Sequence, residues 1–111
     1  MKPPIFVYEP IDLSVFESVE AAELGVKPID VLNNEYLYFD SEGTVLVASV
    51  TRDNRGIERT VIRESSPMEF NEPGLTQILK VFFAALDYPR QELENMSLSS
   101  LVQESLKYKT R

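Results

Sequence analysis

A chain of 111 residues is the length of a single domain, and this one contains neither cysteine nor histidine. Those absences exclude disulfides and thiol chemistry, and they remove the usual physiological-pH general base and the commonest metal ligand. The formal net charge of −7 sits wholly in residues 1–50, because residues 51–111 balance; such a field repels nucleic acid and anionic membrane and attracts basic partners.

The N-terminus, MKPPIFVYEP, lacks the apolar run of a signal peptide, and no window approaches the roughly 20 apolar residues of a membrane span. The expectation is a soluble, cytoplasmic chain. Pro4–Tyr8 reads as a first strand, begun by two prolines and stopped by Glu9-Pro10. Asp12–Phe16 is expected to be a loop with an anchoring aromatic. Ser18 predicts the N-cap of a short helix, Val19–Leu24, with Glu20 in its first turn and Gly25 as its stop. Pro28–Leu32 reads as a second extended segment, and Asn33-Asn34 as a turn.

Glu35–Val50, EYLYFDSEGTVLVASV, predicts a hairpin. Asp40 at the first turn position and Gly43 at the fourth are the signature of a type I turn closed by a left-handed glycine. That register places Phe39 opposite Val45 and Leu37 opposite Val47 on one face, with Tyr38 opposite Leu46 on the other. Both faces are apolar. The second is covered either by the first helix and its loop or by another chain.

A second turn, Arg52–Gly56, leads into a strand at Ile57–Arg63, whose mixed polarity places it near a sheet edge. Ser65-Ser66-Pro67 breaks the sheet. Asn71 then caps the strongest helix, with Pro73 in its first turn. Leu75, Ile78, Leu79, Phe82 and Leu86 form its apolar stripe, widened by Val81, Phe83 and Ala85. A helix this apolar packs between the sheet and another element. Asp87-Tyr88-Pro89 ends it, and a final helix is expected near Ser97–Tyr108.

The order is β-α-β-β-β-α-α. It predicts one α+β domain over residues 1–111: a mainly antiparallel sheet of about four strands, with a short N-terminal helix and two C-terminal helices packed on it.

No constellation points to catalysis, so the expectation is a protein that is not an enzyme and uses no cofactor or metal. The serines have no histidine to activate them. The Asp40 and Asp53 turns resemble fragments of calcium loops but lack the ligand ladder and terminal glutamate of an EF-hand. Arg52, Arg55, Arg59 and Arg63 make a basic strip on one hairpin. With Asp53, Glu58 and Glu64 interleaved it reads as a balanced solvent face and not as a nucleic-acid site.

The stretches DLSVFESVEAAEL, KPIDVLNNEYLYFDSEGTVL and LTQILKVFFAALDY resemble a group of small acidic bacterial proteins. These combine an S-x-E-x-A-E helix with an E-Y-x-x-x-D-S-E-G hairpin. The layout is similar in general type to that of immunity proteins, which neutralise a cognate toxin inside the cell. The resemblance implies a non-enzymatic protein-binding module, and it carries over no inhibitory residue.

Charge and resemblance together predict an acidic inhibitor of a basic toxin. Asp12, Glu17, Glu20, Glu23, Asp40 and Glu42 would supply the field, and Tyr36 and Tyr38 the buried anchors. The alternative is a self-associating structural or adaptor module, a homodimer through the hairpin face carrying Tyr36, Tyr38 and Leu46.

Overall fold

The computed structural model describes residues 1–10, 12–33 and 36–110; Asn34 of the expected turn and Glu35 of the hairpin motif lie outside them. The architecture is α+β. Among the described residues five antiparallel strands stand in the order β2-β1-β3-β4-β5. They are β1 (Ile5–Glu9), β2 (Asp12–Phe16), β3 (Leu37–Phe39), β4 (Val45–Arg52) and β5 (Glu58–Glu64). Five helices accompany them: α1 (Val19–Gly25), α2 (Pro28–Leu32), α3 (Glu72–Ala85), α4 (Arg90–Asn95) and α5 (Leu98–Ser105), followed by a 3₁₀ turn at Leu106–Tyr108.

Three expectations are corrected. Asp12–Phe16 is a strand and not a loop, paired with β1 from Glu9↔Asp12 to Ile5↔Phe16. Its period-2 pattern, with Leu13 and Val15 toward one core and Phe16 toward the other, is a strand pattern too short to stand out alone. Pro28–Leu32 is a turn and a half of helix and not an extended segment. Proline suits the first helical position because its fixed φ is already helical and its missing N–H has no partner there. Arg90–Asn95 adds a short helix between α3 and α5.

Alternation along the strands sends side chains to two cores. On one face Phe6, Leu13, Val15 and Phe39 meet Leu75, Leu79 and Phe83 of α3, together with Leu93 and Leu101. On the other Ile5, Val7, Phe16, Tyr38, Leu46 and Ile62 meet Ala22 of α1 and Val26. Each large side chain removed from water stabilises by about 1.5–3 kcal/mol, so the sheet cannot be stripped of either layer. The hairpin's second face is therefore covered by the chain's own α1 and α2. Tyr38 and Leu46, which the homodimer reading needed at a surface, are buried beneath those two helices.

The strongest helix forms as its stripe demands. Asn71 Oδ1 accepts the Gly74 N–H at 3.0 Å, and α3 lies between the sheet and α5. Leu86 falls off the stripe because the helix has ended, with Asp87 in the left-handed region at φ 67°. Ser18 caps α1 as expected, its Oγ accepting the Ala21 N–H at 3.0 Å.

Two aspartate turns share one design. Asp40 Oδ1 accepts the N–H groups of Glu42 and Thr44 at 2.9 and 3.0 Å. Asp53 Oδ1 accepts those of Arg55 and Ile57 at 2.8 and 3.0 Å. Gly43 and Gly56 close the turns at φ 82° and 79°. Gly43 has a further duty: its carbonyl accepts the Asn71 N–H at 2.8 Å, and a Cβ there would stand 2.9 Å from Glu72 Cα. The turn is thus the seat of α3.

Both outer strands are tied down. Main-chain hydrogen bonding alternates along β5, so the Ile62 N–H points out of the sheet, where Glu23 Oε2 accepts it at 2.8 Å. Thr60 Oγ1 donates to the Val26 carbonyl at 2.7 Å. At the other edge the Val15 N–H donates to Thr110 Oγ1 at 3.1 Å, and the Val15 carbonyl accepts from the Thr110 N–H. The expectation that Ile57–Arg63 lies at an edge holds, since β5 ends the sheet.

Candidate functional site

Of the acidic residues in the first half of the chain, α1 and α2 carry Glu20, Glu23 and Asp30. Ala22 and Val26 anchor the pair inward. Glu23 and Val26 fasten it to β5 through the two bonds just described. What remains outward is unusual for so small a pair of helices. Leu24, Ile29 and Leu32 are 88%, 65% and 68% exposed. Ile29 and Leu32 are three apart on α2 and share a face. Glu20, exposed in the first turn of α1, lies one turn before Leu24 on the same side. Exposed aliphatic residues scattered singly need no explanation; these three stand on two successive short helices, with Glu20 exposed one turn before Leu24.

Beside this surface is a recess of about 70 Å³, lined by Glu9, Phe16, Gly25, Val26, Asp30 and Tyr36. Gly25 ends α1 there because of space and not backbone twist: a Cβ would run into the Phe16 ring. Partial burial, and then the carboxylates of Glu9 and Asp30 beside it, push the Tyr36 hydroxyl up to about 12. Burial and then Asp30 raise Tyr38 above its ordinary value.

The residues expected to contact a partner separate by burial and by bonding. Asp40 and Tyr38 are interior, 2% and 8% exposed. Asp40 is no part of a surface field, because its three bonds go to main-chain N–H groups, the third being that of Lys2 at 3.1 Å. Glu23 is half-buried and engaged with Ile62. Glu17 and Glu42 are exposed, with lysine ammonium groups 3.8 and 3.6 Å away at Lys109 and Lys2. Asp12 and Glu20 are exposed and enter no ion pair with the described residues. Tyr36 is half-buried, edge-on to Tyr38 at 6.4 Å between ring centroids.

The structure therefore does not gather all eight at one place. It gathers Glu9, Asp30 and Tyr36 at the recess, and it exposes Leu24, Ile29 and Leu32 nearby. Of these six, only Tyr36 was expected. Reading Pro28–Leu32 as a helix would have put Ile29 and Leu32 on one face.

An apolar groove of about 260 Å³ also opens between α3 and the β1–β2 hairpin, walled by Tyr8, Leu13, Ile78, Val81 and Phe82. Among the described residues no group of three or more Asp or Glu side chains is placed to hold a metal ion. No described helix is long and apolar enough to cross a membrane. No protein-family model matches the chain, and no curated protein or solved structure matches it.

Proposed function

We propose that this chain is a non-enzymatic protein-binding module that holds a basic partner, acting as an acidic immunity-type inhibitor of a basic bacterial toxin. The observation that carries the reading is the trio Leu24, Ile29 and Leu32, exposed on the acidic half beside the Glu9–Asp30–Tyr36 recess. A toxin that binds phosphates presents arginine and lysine. One such side chain lays its apolar stem along the aliphatic surface and sets its charged head between the two carboxylates. The aliphatic trio supplies the desolvated centre from which most binding energy comes. The net charge of −7 steers the encounter and raises the association rate.

The test is binding and inhibition with the products of the genes flanking its own. The expected result is a tight complex whose association rate falls steeply with salt. Ile29→Asp and Leu32→Asp each weaken it by about tenfold or more, the loss of about 1.4 kcal/mol. Glu42→Gln, away from this surface and beside Lys2, leaves it nearly unchanged. Absence of binding, or full binding by the Ile29 and Leu32 variants, overturns the proposal.

A further inference from the structure

The face of the sheet that carries α3 is not covered along its whole width. Over β1 and β2 the side chains of Phe6, Leu13 and Val15 lie under α3 and α5. Over β4 and β5 the same face is bare. Its cross-strand rungs are Val47↔Arg63, Ser49↔Val61 and Thr51↔Arg59, and Leu37 of β3 flanks them. Leu37 and Val47 are 54% and 48% exposed. Arg59 and Arg63 are exposed and enter no ion pair with the described residues. By contrast Arg52, on the opposite face, is bonded to Glu58 at 3.1 Å. No carboxylate occupies any of the six rung positions. The arm thus shows a small apolar floor with two arginines and no counter-charge.

A surface with that chemistry fits an apolar helix surface edged with carboxylates, and the rest of this sheet face is covered by helices. The chain carries such a surface itself. Glu20 and Leu24 lie on the outside of α1, with Glu17 just before its cap and 3.8 Å from the Lys109 ammonium, followed by Ile29 and Leu32 on α2, all exposed. That surface lies on the other side of the sheet, since α1 and α2 pack on the core of Ile5, Tyr38, Leu46 and Ile62.

We propose that copies of this chain join head to tail, the α1–α2 surface of one seated on the bare β4–β5 face of the next. Charge complementarity selects this arrangement. Apposing two bare faces about a two-fold axis would set Arg59 and Arg63 against their own kind. Because the joined patches differ and lie on opposite faces, the contact is heterologous, so assembly continues into a ring or an open chain instead of stopping at a dimer. The net charge of −7 opposes association at long range, but at physiological ionic strength it is screened within about 8 Å. Within that distance the local pairs decide. The inference goes beyond the proposed function and uses the same α1–α2 surface, so a basic partner and a second copy exclude one another.

Sedimentation velocity of the full chain alone, without any partner, tests it. The wild type is expected to show an average mass that rises steadily with concentration into the millimolar range and passes the dimer. Arg59→Glu with Arg63→Glu should remain monomeric, as should Glu17→Lys with Glu20→Lys. All four side chains are exposed, and circular dichroism checks that both variants fold. Mixed in equal amounts, the two variants should assemble again past the dimer, because the unaltered acidic surface of one meets the unaltered arginines of the other and the two charge-reversed surfaces complement each other in turn. A wild type that stays monomeric throughout, a mass that levels at a dimer, or variants that do not pair on mixing overturns the inference. These outcomes do not depend on whether a toxin partner exists.

Discussion

Replacing Asp40 should damage the fold far more than a surface carboxylate would. The side chain is 2% exposed and accepts three main-chain hydrogen bonds: from Glu42 and Thr44 on Oδ1, and from Lys2 on Oδ2. It therefore stitches the β3–β4 turn to the residues that precede β1, a link reinforced by the Ser41 N–H donating to the Lys2 carbonyl at 2.9 Å. Asp40→Ala removes all three acceptors. The Thr44 bond is buried, so its N–H is left without a partner, at about 1–3 kcal/mol. The Glu42 and Lys2 groups are nearer solvent and regain water, so each costs nearer 0.5–1 kcal/mol by the same net scale. The sum is about 2–5 kcal/mol, a large share of the roughly 5–15 kcal/mol that stabilises a typical domain.

Asp40→Asn separates the contributions. The amide oxygen can keep Glu42 and Thr44, while its NH₂ then faces the Lys2 N–H, donor against donor. A cost of about 0.5–1 kcal/mol is expected, from the lost Lys2 bond alone. Urea unfolding followed by circular dichroism measures both, and the midpoints should order wild type, Asn, Ala. An Ala variant within about 0.5 kcal/mol of wild type, the range of an ordinary surface substitution, would refute the reasoning. So would an Asn variant as damaged as Ala.

Gly43→Ala should cost about 2–4 kcal/mol, because left-handed backbone and the collision with Glu72 add. Gly56→Ala, at a similar φ with nothing within 4 Å of the added carbon, should cost only about 1 kcal/mol; equal losses on denaturation would remove the turn's role as the seat of α3. Glu23→Ala should speed hydrogen exchange at the Ile62 amide and cost about 1–2 kcal/mol, while Glu23→Gln keeps an acceptor and most of the protection; unchanged exchange in the Ala variant would count against the edge clamp. The Tyr36 hydroxyl, raised to about 12 from its ordinary value near 10, has a folded value above its unfolded one. Its contribution to stability is therefore fully present below about pH 10 and lost as pH rises through about 12. Asp30→Asn should bring part of the tyrosine absorbance change to lower pH, and an unaltered alkaline titration would disprove the Tyr36–Asp30 coupling.

The features legible in the sequence are those whose cause lies within a few residues. The Asp40–Gly43 turn, the Ser18 and Asn71 caps and the α3 stripe each depend on neighbours at most a turn or two away. β2 and α2 were not legible, because five residues carry too little pattern to outweigh tertiary context, and a helix that short forms only where packing supports it. The site was hidden for a related reason. In the sequence Asp40 and Glu23 look like part of the field, yet their carboxylates accept from N–H groups 38 and 39 residues away in the chain. Leu24, Ile29 and Leu32 do not stand out in the sequence because an apolar residue belongs to the core by default, and only their exposure separates them from it.

That same long-range bonding narrows how a partner can be met. An exposed strand edge invites recognition by strand addition, in which a segment of the partner extends the sheet. At β5 the outward Ile62 N–H is already held by Glu23, and at β2 both main-chain groups of Val15 are held by Thr110. A strand arriving at either position has to displace a bond already made within the chain, so it gains only the difference between the two. The helix surface of α1 and α2 and the bare face of β4 and β5 ask no such exchange, since their exposed side chains are in contact with water. For the proposed partner and the proposed self-association, faces are therefore favoured over these two clamped edge positions, and substitutions at Leu24, Ile29, Arg59 or Arg63 should alter association more than surface substitutions elsewhere that leave the clamps at Ile62 and Val15 intact.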